Sequence, residues 1–341
     1  MLFNSLEFIF IFLPCALLGA RLLRGAALLR WVTLSSFLFY AFAGHAWFLL
    51  PMLATTVLDF FLAFRIAGAA TPGRRQAVLA VSLACNLGLL FYFKYAGLFL
   101  GAFREVILPA GISFYTFQTM AYVIDVYRGD ARPEPDFWKF AGFVSFFPHL
   151  VAGPLTRHHQ LLPGLGRIAE EGISPRWRAG VFLFAAGLAK KVLLADRLAH
   201  WIDPMIHDAG RLGAGAAWLA LLGYALQIYF DFSGYSDMAI GLGRLFGIEL
   251  PQNFNSPYQA LNPSDFWRRW HMTLSSWLRD YLFAPLAGGG HSRRRRSLAI
   301  LGTMFLGGLW HGANWTFAVW GIYHGLLIVG FHQIKKRWLL W

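Results

Sequence analysis

The stretch Ser297–Ile334, SLAILGTMFLGGLWHGANWTFAVWGIYHGLLIVGFHQI, decides the fold class. It is apolar enough to live in lipid, yet it carries His311 and His324 among glycines and tryptophans. Ionisable side chains at membrane depth are costly and face a cavity or a partner. Both histidines sit in the same small frame, GLWHG from Gly308 to Gly312 and GIYHG from Gly321 to Gly325. Each frame is a Gly-xxx-Gly, the spacing that lets neighbouring helices approach closely. Taken alone, such a histidine is as readily a packing residue bonded to a neighbouring helix as a functional group. The rest of the chain favours function for His311.

The composition extends that reading to all 341 residues: 57% are apolar, 17% aromatic and only 14% charged. Soluble domains carry about 25% charged residues. Apolar runs recur at 6–23, 26–42, 46–66, 76–100, 107–124, 140–153, 179–202, 214–242 and 297–334. Several reach the roughly 20 residues that span a bilayer. No run shows the alternation of an outer-membrane barrel strand. The chain reads as an all-α polytopic membrane protein, with residues 1–341 forming one membrane-embedded domain.

Charge places its ends. The start, MLFNSLEF, carries Glu7 and no basic residue, so it is not a cleavable signal. Arg21, Arg24 and Arg30 follow it and put the N-terminus outside by the positive-inside rule. The 43–46 loop reads as external. Arg65, Arg74 and Arg75, then the 155–178 segment, Arg293–Arg296 and Lys335–Arg337 read as cytoplasmic. The 128–139 loop is balanced in charge and assigns no side. The net charge of +13 is therefore topology and contact with anionic lipid; no nucleic-acid module is present. Cys15 and Cys85 fall within predicted spans and read as small buried apolar residues, not as a disulfide or a metal pair. No metal site is expected.

The first four segments read as lipid-facing helices. Asp59 is expected to pair within the bundle, and Lys94 to snorkel towards the interface. From Leu108 the character changes. LPAGISFYTFQTMAYVIDVYRG (108–129) mixes Ser, Thr, Tyr, Gln and Asp into an apolar frame. FVSFFPHLVAGPLTRHHQLLPGL (143–165) is short and broken by Pro148, Pro154 and Pro163 around His149. Such a segment is tolerated where it is buried in protein or lines a wet cavity, and it reads as re-entrant. YALQIYFDFSGYSDMAIGLGRLFGI (224–248) holds Asp231 and Asp237, which read as a structural network with Arg244 and Arg268 as candidate partners. A paired-carboxylate acid/base site is the alternative. In LPQNFNSPYQALNPSDFWRRWHMTLSSWLRDYLFAPL (250–286), Asn253, Asn255 and Asn262 make an irregular lead-in. Ser264 or Asp265 can then cap an amphipathic interfacial helix, on whose boundary His271 sits.

These stretches resemble the membrane-bound O-acyltransferase family, in its bacterial branch of alginate O-acetylation and teichoic acid D-alanylation subunits. LPAGISFYTFQTMAYVIDVYRG, FFPHLVAGPLTR, FWRRWHMTLSSWLRDYLFAPLAG and GLWHGANWTFAVWGIYHG carry the likeness, with YFDFSGYSDMAIGLGRLFGI and PQNFNSPY in support. The resemblance implies a ring of transmembrane helices with re-entrant and interfacial elements. It also implies further membrane helices past the position of Trp341, so that the family's C-terminal helices are missing here. The family's signature histidine falls on His311, and its second polar position on His271.

The implied chemistry is transfer of an acyl group, acetyl in the first instance, from a cytoplasmic thioester to a hydroxyl of an extracytoplasmic polysaccharide. D-alanyl transfer to teichoic acid, and a non-catalytic transporter or scaffold for a soluble acetyltransferase, are the alternatives. His311 is the candidate base, about 21 Å along a helix that starts at Ser297. His271 would orient the donor or line its entry. Trp310, Asn314, Arg268 and Asn255 are candidate substrate contacts, Trp310 chiefly as cavity wall. The donor is an acyl-CoA or an acyl-carrier thioester, with no bound cofactor. The partners are that donor, a polysaccharide acceptor or an extracytoplasmic acetyltransferase, and membrane lipid. The setting is the bacterial cytoplasmic membrane.

Overall fold

Lipid offers no partner for a backbone N–H or C=O, so apolar segments close their hydrogen bonds internally as helices. The structure, a computed structural model, describes residues 1–100, 107–289 and 292–338, with side chains through Lys335 in the last stretch. The side chains of Lys336 and Arg337, in the basic cluster read as cytoplasmic, lie outside the described residues. Among the described residues every regular element is helical. The first six α-helices are α1 (Leu13–Leu22), α2 (Gly25–Ala43), α3 (Leu49–Ala67), α4 (Pro72–Leu90), α5 (Ala96–Leu100) and α6 (Ile112–Arg128). The next six are α7 (Phe137–Ser145), α8 (Phe147–Leu150), α9 (His158–Glu171), α10 (Trp177–Ala189), α11 (Asp196–His207) and α12 (Ala214–Leu245). Then come α13 (Pro263–Arg269), α14 (Met272–Leu278), α15 (Ala284–Ala287), α16 (Arg293–His311) and α17 (Trp315–Trp338). Single π-helical turns are inserted at Phe8–Phe12, Phe91–Tyr95, Lys190–Ala195 and Arg279–Phe283. Among the described residues four segments are long and apolar enough to cross a membrane: Gly25–Ala43, Ala46–Ala67, Pro72–Leu100 and Trp315–Lys335. This is an all-α polytopic membrane fold. Cys15 and Cys85 are free thiols exposed on helix surfaces rather than buried, because each falls on the outward side of its helix.

The chain's contacts cluster into two units, each assembled from two stretches: residues 1–49 with 134–251, and residues 50–133 with 252–341. The first unit is built on aromatic packing. Phe3, Phe8, Phe39 and Phe147 are fully buried or nearly so, and the Phe39 and Phe147 ring centroids lie 5.5 Å apart. The Pro-interrupted stretch becomes α7 and α8, with residues 140–150 all buried and Pro148 in the first turn of α8. Proline is tolerated there because that N–H has no intrahelical partner. Being wrapped in protein is what allows so short and broken a segment.

In the same unit α10 and α12 approach backbone to backbone. A Cβ on Gly187 would lie 2.4 Å from the Gly234 carbonyl oxygen, and one on Gly241 would lie 2.7 Å from that of Gly180. This approach continues into the π turn after α10, where Lys190 bonds Asp237 at 2.6 Å and Lys191 bonds Asp231 at 2.6 Å. The acidic pair is therefore held by these two lysines and not by the expected arginines. Arg244 instead faces Glu249 at 3.6 Å, and Arg268 faces Asp265 at 3.7 Å on its own helix.

The second unit carries both histidines singled out above. Asp59 on α3 accepts from Ser82 Oγ at 2.6 Å and Asn86 Nδ2 at 2.8 Å, both on α4. Asn86 Oδ1 in turn accepts from Thr119 Oγ1 on α6 at 3.2 Å. Asp59 does pair within the bundle, and its described partners are neutral donors. The run 297–334 splits at residues 312–314 into the antiparallel pair α16 and α17. Asn314 Oδ1 accepts from Thr316 N at 3.0 Å and so starts α17. Glycines set the crossing: a Cβ on Gly308 would lie 2.2 Å from the Phe317 carbonyl oxygen, and one on Gly321 would lie 2.2 Å from that of Met304.

Candidate active site

His311 is the last residue of α16, and its position follows from how that helix ends. The final carbonyls of a helix have no intrahelical donor. Here Tyr95 Oη donates to the Leu309 carbonyl at 3.0 Å, and the Lys94 ammonium donates to the Trp310 carbonyl. Lys94 also donates to Ser113 Oγ at 3.2 Å and stands 5.3 Å from the centre of the Trp310 ring. The expected snorkelling is therefore wrong. The π turn and the orphaned carbonyls of α16 draw the lysine inward, and a cation at a helix C-terminus is favoured.

The interfacial segment differs from the expected single helix. Asn262, not Ser264 or Asp265, caps α13, its Oδ1 accepting from Asp265 N at 2.9 Å. The helix then breaks between Trp270 and Met272, and His271 takes φ 45°, the left-handed region that L residues rarely adopt. The break turns His271 inward, where it is 1% exposed rather than on the surface. Asn253 holds it there. Asn253 Oδ1 accepts from Thr273 N at 3.3 Å and Thr273 Oγ1 at 2.8 Å, and lies 3.2 Å from His271 Nδ1. A backbone N–H can only donate, so the asparagine atom is its oxygen and Nδ1 carries the hydrogen. In the neutral ring the lone pair then sits on Nε2. Local strain of about 1–3 kcal/mol is tolerated at such a residue when the surroundings over-determine it.

Trp310 lies between the two histidines, its ring centre 5.8 Å from that of His271 and 5.1 Å from that of His311. Two cavities meet at His311. One, of about 280 Å³, follows a single face of α16: Arg296, Ile300, Thr303, Gly307 and His311 line it in helical register. Arg279 joins Arg296 at its basic part, and leucine, phenylalanine and methionine side chains make its walls apolar. The other, of about 210 Å³, is lined by Lys94, residues 108–114, Trp310 and His311. An imidazole between two chambers can take a proton from a group arriving in one while a second group waits in the other.

Of the sequence candidates, His311, His271 and Trp310 are brought together. Asn314 is engaged in starting α17, and Asn255 exchanges backbone contacts with Arg269, its N–H donating to the Arg269 carbonyl at 2.9 Å. Neither of these two, nor Arg268, which is 72% exposed along its side chain, lines either cavity. His324 packs edge-on against Trp267 and Trp320 at 5.3 and 4.7 Å, so its described contacts are aromatic rather than the expected hydrogen bond. Sequence reading missed Lys94 and Asn253. The first stood out only as an isolated charge, and the second only as one of three asparagines in a loop. Among the described residues no cluster of metal-ligating side chains occurs.

The model of the membrane-bound O-acyltransferase family matches residues 130–338. The chain is 39% identical to the peptidoglycan O-acetyltransferase of Helicobacter pylori over 96% of its own length and 70% of that protein's. It is 41% identical to the probable alginate O-acetylase AlgI of Pseudomonas aeruginosa, over 96% of its length and 65% of the relative's. The chain belongs to the membrane-bound O-acyltransferase family. A more distant member, the teichoic acid D-alanyltransferase of Bacillus subtilis, is 27% identical over 67% of this chain and 61% of its own length. The chain spans about two thirds of the length of these curated relatives.

For a family member with this arrangement, the Asn253–His271 bond has a measurable consequence. Asn253→Asp replaces the amide with a carboxylate that still accepts from Nδ1. Asn253→Ala removes the acceptor, and a lost buried hydrogen bond of this kind costs about 1–3 kcal/mol. Asn253→Asp is expected to keep more turnover per folded molecule than Asn253→Ala. Equal turnover in the two would show that His271's ring orientation does not matter.

Proposed function

We propose that this chain transfers an acetyl group from a thioester donor to hydroxyls of an extracytoplasmic polysaccharide, with His311 as general base. The observation that carries the reading is the position of His311 where two separate cavities meet. The acceptor hydroxyl gives its proton to the imidazole and attacks the thioester carbonyl. The thiol leaves with that proton, and an ester remains. The cavity along α16 suits the donor. Its lining is mostly apolar, which suits a pantetheine arm; Arg296 offers a planar fork for phosphate, and Arg279, paired with Asp280, adds positive charge beside it. Either an acyl-CoA or a carrier-protein thioester presents these groups. His271 lines neither cavity, and it would act on the site through the Trp310 ring, whose centre lies 5.8 Å from its own.

The acetyl group is favoured over D-alanyl because the relatives near 40% identity are named O-acetyltransferases and O-acetylases, whereas the D-alanyl relative stands at 27%. Their names, which print alginate and peptidoglycan, support a polymeric glycan as acceptor, and this reading places it on the outer side of the bacterial cytoplasmic membrane. An extracytoplasmic acetyltransferase that receives the group first is a natural partner.

Purified protein in detergent, given isotope-labelled acetyl-CoA and alginate or peptidoglycan oligosaccharides, tests this directly. Detergent solution has no second compartment, so a pure transporter yields no ester there. Labelled ester found by mass spectrometry is the expected result. Ester that appears only when a soluble acetyltransferase is added would assign this chain a relay role. No labelled ester under either condition, from well-folded protein, would sink the proposal.

A further inference from the structure

We propose that Lys94 is a catalytic residue of this transfer, its ammonium holding the oxyanion that forms on the donor carbonyl. The inference rests on the acyl-transfer reading above.

Lys94 belongs to the apolar segment Pro72–Leu100, where a full charge is costly and marks a functional position. Capping α16 favours a cation but does not require one. Tyr95, its neighbour, caps the adjoining carbonyl of the same helix end with a neutral hydroxyl. An ammonium has three N–H donors. The Trp310 carbonyl and Ser113 Oγ take two of them, and these two bonds fix the nitrogen. Among the described residues the third meets no acceptor and is left for the 210 Å³ cavity, which Lys94 lines together with Gly111, Ser113, Trp310 and His311. The residue is carried on a π-helical turn, an insertion common at functional sites because it re-aims a side chain out of the helical register. A base and a fixed cation thus share the chamber that meets the donor cavity at His311, so a thioester carbonyl brought up to His311 along α16 would meet the cation at that junction.

The chemistry balances around this pair. The acceptor oxygen forms a bond to the thioester carbon as His311 takes the hydroxyl proton. The C=O π pair moves onto the carbonyl oxygen, and that oxyanion accepts from Lys94. When the tetrahedral species collapses, the C–S bond breaks, the π bond re-forms, and sulfur leaves with the proton returned by His311. A preorganised donor aimed at the oxyanion acts only in the transition state, so it raises turnover rather than donor affinity.

The test uses the full chain in detergent with acetyl-CoA, comparing Lys94→Gln, Lys94→Met, Lys94→Arg and Tyr95→Phe. Gln keeps a donor for the Trp310 carbonyl without the charge, which covers the case in which Met does not fold. The expected result is a kcat about 10²–10³-fold lower in Lys94→Gln with donor KM little changed. Lys94→Arg should recover part of the rate, and Tyr95→Phe should stay near wild type per folded molecule. A phosphonate mimic of the tetrahedral species should bind Lys94→Gln more weakly by a similar factor. Unchanged kcat in Lys94→Gln, equal losses in Lys94→Gln and Tyr95→Phe, or undiminished phosphonate binding would each overturn the proposal. Wild-type protein without turnover overturns the acyl-transfer reading itself, whereas wild-type turnover with an unaffected Lys94→Gln overturns only the role of Lys94.

Discussion

His311→Ala is expected to lower acyl transfer by about 10²–10⁴-fold while the protein still inserts and purifies, the usual effect of losing a general base. His311 ends α16, and no backbone bond of that helix depends on its side chain. Its ring neighbours are Trp310, Trp320 and Phe317, at 5.1, 5.1 and 6.3 Å. Those contacts support packing that alanine weakens only modestly. His324 sits in an identical frame of glycines, on α17, and is the internal control. Its rings of contact are Trp267, Trp320 and Phe266. His324→Ala is expected to cost about 0.5–1.5 kcal/mol per lost aromatic pair and to leave turnover per folded molecule near wild type. Turnover corrected for folded protein separates the two. If His324→Ala is the inactive variant and His311→Ala keeps more than about a tenth of the rate, a loss too small for a missing base, the site has been assigned to the wrong histidine.

Gly321→Ala should destroy more folded protein than any other single methyl added to α17. Its Cβ would sit 2.2 Å from the Met304 carbonyl oxygen, a backbone atom with no rotamer to yield. The helices must separate, and overpacking of this kind costs about 1–3 kcal/mol or more. Separation also shifts α16, which carries His311, so the surviving protein should lose activity too. Gly330 lies on the same helix with open space around the added methyl. Gly330→Ala should be neutral or stabilising by up to about 1 kcal/mol, since alanine is the better helix former. Thermal unfolding in detergent compares the two. Equal melting temperatures would show that the close approach of α16 and α17 is not needed for the fold.

Much of this was legible in the residues themselves. Apolar runs of span length, the near absence of charge within them, and arginine clusters between them dictate a polytopic helical membrane protein, because hydropathy and helix length are local properties. The two Gly-xxx-Gly frames in 297–334 announced close helix contact for the same reason, since the spacing that aligns glycines on one helix face is written in the chain. His311 stood out as an ionisable group inside such a run. The tertiary structure decided what those groups meet. It turned Lys94 inward onto the last carbonyls of α16, 216 residues away in sequence. It broke the interfacial helix at His271 and fixed that ring against Asn253, so a histidine with a surface pattern became buried. It matched Asp231 and Asp237 to Lys191 and Lys190 rather than to arginines. Hydrophobic periodicity says which face of a helix is buried, but ion pairs, tautomers and cavities depend on side chains brought together from distant parts of the chain. No local pattern encodes those encounters.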